Sequence, residues 1–204
     1  MCRSINRSMS GYSRARSGYK QSMTNNTTPE AILSFWNDAG AERWFKSDPV
    51  FDAEIRQHFA SLYEVAAAGG RDDWAATPDG ALALVILLDQ FPRNMFRGTP
   101  GMFIADAKAR EIADTAIAAG YDAAVSGELR SFFYLPFMHS ERLADQERCV
   151  DLMKLHGKQE NIKYAEIHLD AIARFGRFPH RNEVLDREST PAEVEYLANG
   201  GFAG

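Results

Sequence analysis

The chain has 204 residues, of which 45% are hydrophobic and 25% charged, a composition typical of a globular protein and not of a disordered or fibrous one. Its net charge of −5 argues against a broad nucleic-acid surface. Two cysteines, Cys2 and Cys149, are too few for a disulfide framework, and the longest apolar run, residues 81–88, is far shorter than the roughly 20 residues that span a bilayer. We therefore expect a soluble, cytoplasmic protein with neither a membrane nor a nucleic acid as its partner.

The first 28 residues differ in composition from the rest. They contain five basic residues, many serines and no acidic residue, so that 18 basic residues face 28 acidic ones in the remainder, a net charge of −10. Without an apolar stretch the segment is not a secretory signal. It is a disordered basic tail, a transit-like segment or a false start ahead of Met23. We expect one helical domain over residues 29–204.

The first half of that domain reads as successive helices. A capping residue followed by proline predicts helix starts at Thr28, Asp48 and Thr77. The third helix is apolar on all faces over residues 81–88, as a central buried helix would be, and is predicted to end near Phe91 because Pro92 disfavours helical geometry in the preceding residue.

The second half continues in the same way. Further helices are predicted over residues 103–119, 127–135, 141–156 and 161–175, and a last one starts at a capping box on Thr190. In the first of these Ile104 is expected to face inward; Pro136 should end the second, and Ser140 should cap the third. Because no strand pattern is visible, the sequence predicts an all-α protein, with antiparallel helix pairs in a tetratricopeptide-like array or a bundle.

Polar residues follow the buried helix directly, at Asp89, Gln90, Arg93, Asn94 and Arg97. A carboxylate that begins inside the protein needs a partner, which Arg93 or Arg97 can supply. The group is either a structural ion pair or the floor of a pocket, in which Asp89 orients arginines toward an anion.

Two further clusters contain histidine. His139 and Glu141 flank a predicted helix start, where they either cap and brace the chain or act as an acid/base pair. His168 lies on a semi-apolar helix face, as either a core histidine or a pocket residue.

The densest cationic stretch of this acidic domain follows a predicted helix end. Its polar residues are Arg174, Arg177, His180, Arg181 and Asn182. The arrangement favours a compact site for a carboxylate or phosphate over a nucleic-acid surface.

These motifs together carry a family resemblance. The runs at residues 88–98, 135–141 and 174–182, with the opening at residues 32–36, resemble the bacterial family of uncharacterised proteins called domain of unknown function 924. The resemblance covers roughly residues 29–197 and implies a tetratricopeptide-like helical fold without an assigned activity. Asp186 stands where the family pattern leads us to expect glycine; aspartate tolerates a positive φ, so the departure affects only the loop.

Three functional hypotheses remain open from the sequence. The first is a binding module whose Arg/His-lined pocket holds a small anionic ligand or a partner peptide. The second is a hydrolase or transferase acting on an anionic small molecule, with His139 and Glu141 as acid and base and Asp89 orienting an arginine; a metal-dependent variant would use His139, His168 and His180. The third is a purely structural role. No cofactor or metal motif is present, and neither is a nucleophile elbow or a phosphate loop.

Overall fold

A computed structural model describes residues 27–125 and 127–204, so the expectations for the segment up to residue 26 lie outside it. The all-α prediction is confirmed: the described residues form helices and turns without a strand. The α-helices are α1 (Pro29–Ala39), α2 (Ala41–Trp44), α3 (Pro49–Ala67), α4 (Pro78–Val85), α5 (Phe91–Met95), α6 (Asp106–Ala118), α7 (Tyr121–Ala124), α8 (Leu135–Met138), α9 (Leu143–His156), α10 (Gln159–Phe175) and α11 (Pro191–Ala198). None of the helices in these two ranges has both the length and the apolarity that crossing a bilayer requires.

The predicted caps fix the helix starts. The side chains of Thr28, Asp48 and Thr77 each accept a hydrogen bond from a backbone N–H in the first turn of α1, α3 and α4. Thr190 and Glu193 form the predicted reciprocal capping box at the start of α11. The sequence therefore specifies these four boundaries locally.

Helix α4 is the centre of the core, as its apolar sequence predicts. Every residue from Gly80 to Val85 is buried, and α1, α6 and the 3₁₀ turn Asp72–Ala76 pack around it. Aromatic side chains extend the core, with the Trp36 ring stacked 6.0 Å from that of Phe51 and tilted against that of Phe91 at 5.5 Å. This packing holds the end of α4, where the polar residues begin, inside the protein.

The chain does not leave the helical path near Phe91, contrary to the prediction. A π turn, Ile86–Gln90, follows α4 and leads directly into α5, which contains Pro92. In a regular helix the ring of Pro92 would collide with the carbonyl of Leu88, and the wider turn makes room for it. As a consequence Asp89 and Gln90 lie on a buried π turn.

Three other local predictions are wrong. Ile104 is 75% exposed, because α6 starts only at Asp106 and Ile104 precedes it in a turn. Pro136 lies within α8 and does not break the chain there, since proline fits a first helical turn. Ser140 does not cap α9, which starts at Leu143; its hydroxyl donates to Asp145 at 2.7 Å instead.

Helices α9 and α10 pack closely along one another across a two-residue connection, as expected for an antiparallel hairpin. A stacked tetratricopeptide-like array over the whole domain stays a prediction. Ala171 and Ile172 of α10 and Phe178 after it form a small apolar cluster, with Tyr196 and Phe202 packed against it. Because Phe178 belongs to the cationic stretch of residues 174–182, the cluster anchors this stretch to α10.

Asp186 has a φ of +52°, the one non-glycine residue of the described chain with a positive φ. The turn thus requires a positive φ at the position where the family pattern leads us to expect glycine, and aspartate adopts it.

Candidate functional site

The centre of the candidate site is a pair of side chains from distant parts of the sequence. Asp89, on the π turn, is fully buried, and both of its carboxylate oxygens lie near Nδ1 of His139, at 2.9 and 3.0 Å. His139 follows α8 directly, and Gln146 of α9 holds this turn by donating to the carbonyl oxygens of Met138 and Ser140 at 2.7 and 2.6 Å. The aspartate–histidine pair is therefore positioned by α8, α9 and the π turn together.

Burial and the surrounding charges determine the protonation states of Asp89 and His139. Burial by itself would raise the pKa of Asp89, but the charge of Arg93 and the interactions with His139 and Gln90 outweigh it and lower this pKa to about 2. Burial and the charge of Arg93 lower the pKa of His139 below its ordinary value of 6.5. At neutral pH the pair is thus a carboxylate and a neutral imidazole. Because the carboxylate only accepts hydrogen bonds, Nδ1 of His139 carries the hydrogen and Nε2 has a free lone pair.

Arg93 and Gln90 hold Asp89 from the other side. The Gln90 amide donates to the Asp89 carboxylate, and the Arg93 guanidinium lies 3.3 Å from it while also donating to the Asp89 backbone carbonyl. Arg93 makes a second, bidentate contact with Asp106 of α6, with both N–O distances at 3.0 Å. The positive charge of Arg93 is therefore shared between two carboxylates inside the protein.

Arg181 is buried beside this network in a different way. It is 7% exposed, and its guanidinium carbon lies 4.4 Å from the centre of the Phe178 ring and 4.6 Å from that of Phe103. The same Phe103 ring has Arg93 at 6.0 Å, so the two guanidiniums meet at one phenylalanine. Within the described residues no hydrogen bond or ion pair joins the Arg181 guanidinium to another residue, and its Nε is buried without a partner. We call Asp89, Arg93, His139 and Arg181 the arginine–histidine site.

Two further histidines line the same region. His168 donates from Nδ1 to the Tyr164 carbonyl at 2.7 Å, and its ring lies 4.1 Å from that of Phe202. Burial lowers the pKa of His168 to about 3 and that of His180 to about 4. Nδ1 of His180 is buried without a hydrogen-bond partner in the described chain. The region therefore contains neutral imidazoles beside the Arg181 cation.

Several predicted site residues form structural contacts elsewhere. Asn94 and Arg97 do not join Asp89; both donate to Asp52 of α3, at 2.8 Å from Asn94 and at 2.8 and 3.0 Å from Arg97. The sequence offered no reason to choose between Asp89 and Asp52, which is 37 positions earlier in the chain.

The C-terminal cationic stretch also divides. Arg177 forms a bidentate pair with Glu193 at 2.6 and 2.7 Å, which ties the stretch to the start of α11. The Asn182 amide donates to Ser189 at 3.1 Å. Arg174 is exposed, pairs with Asp170 at 3.3 Å and lines a depression of about 410 Å³ with Tyr196. Of this stretch only Arg181 belongs to the arginine–histidine site, and His180 contacts the same Phe178 ring as Arg181.

Glu141 does not pair with His139. Its carboxylate accepts two hydrogen bonds from Arg187, at 2.8 and 3.0 Å, and one from the Phe178 N–H at 2.9 Å. Glu141 thus anchors the C-terminal stretch, and the partner of His139 is Asp89. In the residues that the structure describes, no group of three or more His, Cys, Asp and Glu side chains could hold a metal ion, so the metal-dependent variant finds no support.

Sequence reasoning missed Asp106, Phe103, Arg187 and Phe202. Phe103 lies in the turn before α6 and Asp106 begins the helix, and only the tertiary packing brings them to Arg93 and Arg181. The one local signal was an acidic residue at a helix start, which caps explain equally well.

Comparison with known proteins identifies the family. The model of a family described as bacterial protein of unknown function, DUF924, matches residues 32–201. The chain belongs to this family. It is also similar to the solved structure of a protein of unknown function from Agrobacterium tumefaciens, with 46% sequence identity over 84% of this chain and 97% of that one and a TM-score of 0.82. A search of curated proteins finds no match. The resemblance drawn from the sequence motifs is thus confirmed, and the DUF924 description assigns no activity.

Proposed function

We propose that this DUF924 protein binds a small anionic molecule, a carboxylate or a phosphate, at the arginine–histidine site. The observation that carries the proposal is the buried Arg181 guanidinium, which has phenyl rings on its faces and no carboxylate in contact. An arginine taken out of water normally pairs with an acid, because a buried charge without a hydrogen-bonded partner is costly. A ligand anion supplies that partner.

The electrostatics support the same proposal. Burial and the nearby charge of Arg93 lower the pKa of Arg181 to about 10, while the carboxylates of Asp106 and Glu141 act on it only from a distance. Both of those carboxylates are already engaged, by Arg93 and Arg187. The guanidinium therefore keeps its bidentate hydrogen-bonding capacity for an incoming anion.

The burial of Arg181 also favours a small ligand over an extended peptide. Only 7% of the residue is exposed, so a single carboxylate or phosphate group can reach it, whereas a folded partner surface cannot. A partner peptide remains an alternative only through a terminal or side-chain carboxylate. The enzyme with His139 and Glu141 as acid and base is less well supported, because Arg187 occupies Glu141.

Thermal unfolding with a panel of anions tests the proposal. The panel contains phosphate, acetate, pyruvate, succinate and glycerol phosphate, each at constant ionic strength. An anion at about 100 times its dissociation constant stabilises by about 2.7 kcal/mol, which raises the unfolding midpoint by about 5–10 °C for a protein of this size. We expect at least one anion to produce such a rise in the wild type.

Two variants locate the effect. Arg181→Met keeps an apolar side chain between Phe103 and Phe178 but removes the charge, and it is expected to abolish the rise. Arg174→Met is the matched control, since Arg174 is an exposed arginine of the same stretch, and it should respond as the wild type does. A rise that persists in Arg181→Met, or a panel without any effect on the wild type, contradicts the proposal.

A further inference from the structure

The geometry points to a catalytic use of the arginine–histidine site: we propose that Nε2 of His139 is a general base that removes a proton from the carbon next to the carbonyl of a small 2-oxo acid whose carboxylate Arg181 binds. This inference rests on the proposed anion binding and adds a reaction to it.

The first support is the fixed orientation of the base. Asp89 receives Nδ1–H of His139 at both oxygens, and Gln90 and Arg93 hold the Asp89 carboxylate from behind. An imidazole held in this way has one tautomer, with the lone pair on Nε2, and the carboxylate stabilises the imidazolium that forms when Nε2 takes a proton. A histidine that served only as packing would not need an ionised partner on a fully buried π turn, and π turns of this kind are frequent at functional sites.

The second support is access. Nε2 of His139 has no hydrogen-bond partner in the part of the chain that the structure describes, and the side chain keeps 15% of its surface exposed. His139 is thus held by Asp89 at Nδ1, while Nε2 is free to accept a proton.

The third support is the position of the cation. Arg93 lies between the two groups in the contact network: its guanidinium is 3.3 Å from the carboxylate of Asp89, the partner of His139, and it shares the Phe103 ring with the guanidinium of Arg181, at 6.0 and 4.6 Å from the ring centre. In the proposal, a small acid that Arg181 holds by its carboxylate extends past Arg93 toward Nε2 of His139. Buried cations close to the reacting atoms stabilise negative charge that develops in the transition state.

The reaction that these groups complete is a reversible proton transfer. The C–H bond next to the carbonyl breaks, its electron pair forms the carbon–carbon double bond of the enolate, and the proton moves to Nε2 of His139. The enolate oxygen bears the negative charge, which the Arg181 cation stabilises. Return of the proton from Nε2 restores the oxo acid, so that the step requires no further reactant. In heavy water the returned particle is a deuteron.

Proton NMR in D₂O measures this step directly. Pyruvate and 2-oxobutyrate are the probes, because they are small acids that combine a carboxylate with an acidic C–H bond. Loss of the methyl signal of pyruvate, or of the methylene signal of 2-oxobutyrate, is followed with and without protein. General bases contribute about 10²–10⁴-fold, so His139→Gln is expected to lower the protein-dependent exchange rate by at least about 100-fold.

The control variants separate base catalysis from other effects. Glutamine at position 139 retains an N–H that can donate to Asp89, and its unfolding midpoint reports whether the variant is folded. His156→Gln removes an exposed histidine at the end of α9 and should exchange at the wild-type rate.

The pH dependence of the wild type gives a second test that needs no variant. The rate should fall as the pH falls through the pKa of His139, which lies below 6.5. The charged and titratable groups that face this ring are Asp89, Arg93, Asp106 and His168. An exchange rate that stays constant as the pH falls below 6.5 contradicts a histidine base.

The outcomes distinguish the two proposals. Exchange that depends on His139 supports the inference. Stabilisation by pyruvate or 2-oxobutyrate in the unfolding assay without His139-dependent exchange overturns the inference and leaves anion binding standing. No stabilisation by any anion of the panel overturns both.

Discussion

The buried imidazole of His168 leads to a quantitative prediction for stability. Burial holds its pKa at about 3 in the folded protein, against an ordinary value of 6.5 that the unfolded chain regains. Between these two values the unfolded state binds a proton that the folded state does not, so the free energy of unfolding decreases as the pH falls. The slope approaches about 1.4 kcal/mol per pH unit, which amounts to about 2 kcal/mol between pH 7.5 and pH 5.0.

The variant His168→Gln removes this contribution. Urea unfolding followed by circular dichroism at pH 7.5 and 5.0 should therefore show a loss of stability that is about 2 kcal/mol smaller in the variant than in the wild type. Glutamine also loses contacts with Phe202, so the comparison concerns the change with pH and not the stability at one pH. His156→Gln serves as the control with an exposed histidine, and its pH dependence should match the wild type. An equal loss in His168→Gln and in the wild type would refute the reasoning.

Three more predictions follow from individual contacts. Asp52→Ala leaves the amide of Asn94 and the half-exposed guanidinium of Arg97 unpaired, and should lower the free energy of unfolding by about 2–3 kcal/mol in urea; a loss below about 0.5 kcal/mol contradicts the brace. Asp186→Gly should be neutral or stabilising by up to about 1 kcal/mol and Asp186→Val destabilising by about 1–2 kcal/mol, because the position has a positive φ; equal effects of the two would count against backbone strain. Cys149 is fully buried, with a pKa raised by burial to about 12, so mass spectrometry should find its peptide unlabelled by a thiol reagent at pH 8 until the protein is unfolded; labelling in the folded state is the contrary result.

The helical fold could be predicted from the sequence because its signals are local. Thr28, Asp48 and Thr77 cap helices through contacts with residues two or three positions away, and the apolar run before Asp89 indicates burial directly. The π turn at Asp89 could not be read in this way, since Pro92 is compatible with either an ended helix or a widened one.

The candidate site could be predicted only in part, because ion-pair partners are chosen by tertiary packing. The sequence indicates that Asp89 needs a partner, and Arg93 indeed contacts it. It does not indicate that Arg97 turns to Asp52 or that Glu141 turns to Arg187, since these partners lie 45 and 46 positions away. The residue types therefore predict which segments contribute to the site, whereas the tertiary structure determines which side chains contact each other there.

The lack of an acidic partner for Arg181 in the described chain distinguishes a ligand-binding arginine from a structural one. In the sequence Arg181 is one of several arginines in a cationic stretch, but Arg177 is paired with Glu193 and Arg181 is not paired with any acid in the described chain. Proteins often retain such costly groups where they bind a ligand, and removing them stabilises the fold or leaves it unchanged.

The free energy of unfolding of Arg181→Met in the absence of added anions is the most direct test of this central claim. Urea unfolding at pH 7.5 compares this variant with the wild type and with Arg174→Met. A ligand-binding arginine predicts that Arg181→Met is at least as stable as the wild type, or within about 1 kcal/mol of it, because methionine keeps the contacts with Phe103 and Phe178 without the cost of a buried charge. A loss of about 3–5 kcal/mol, the cost of breaking a buried ion pair, would contradict the account and identify Arg181 as a structural brace.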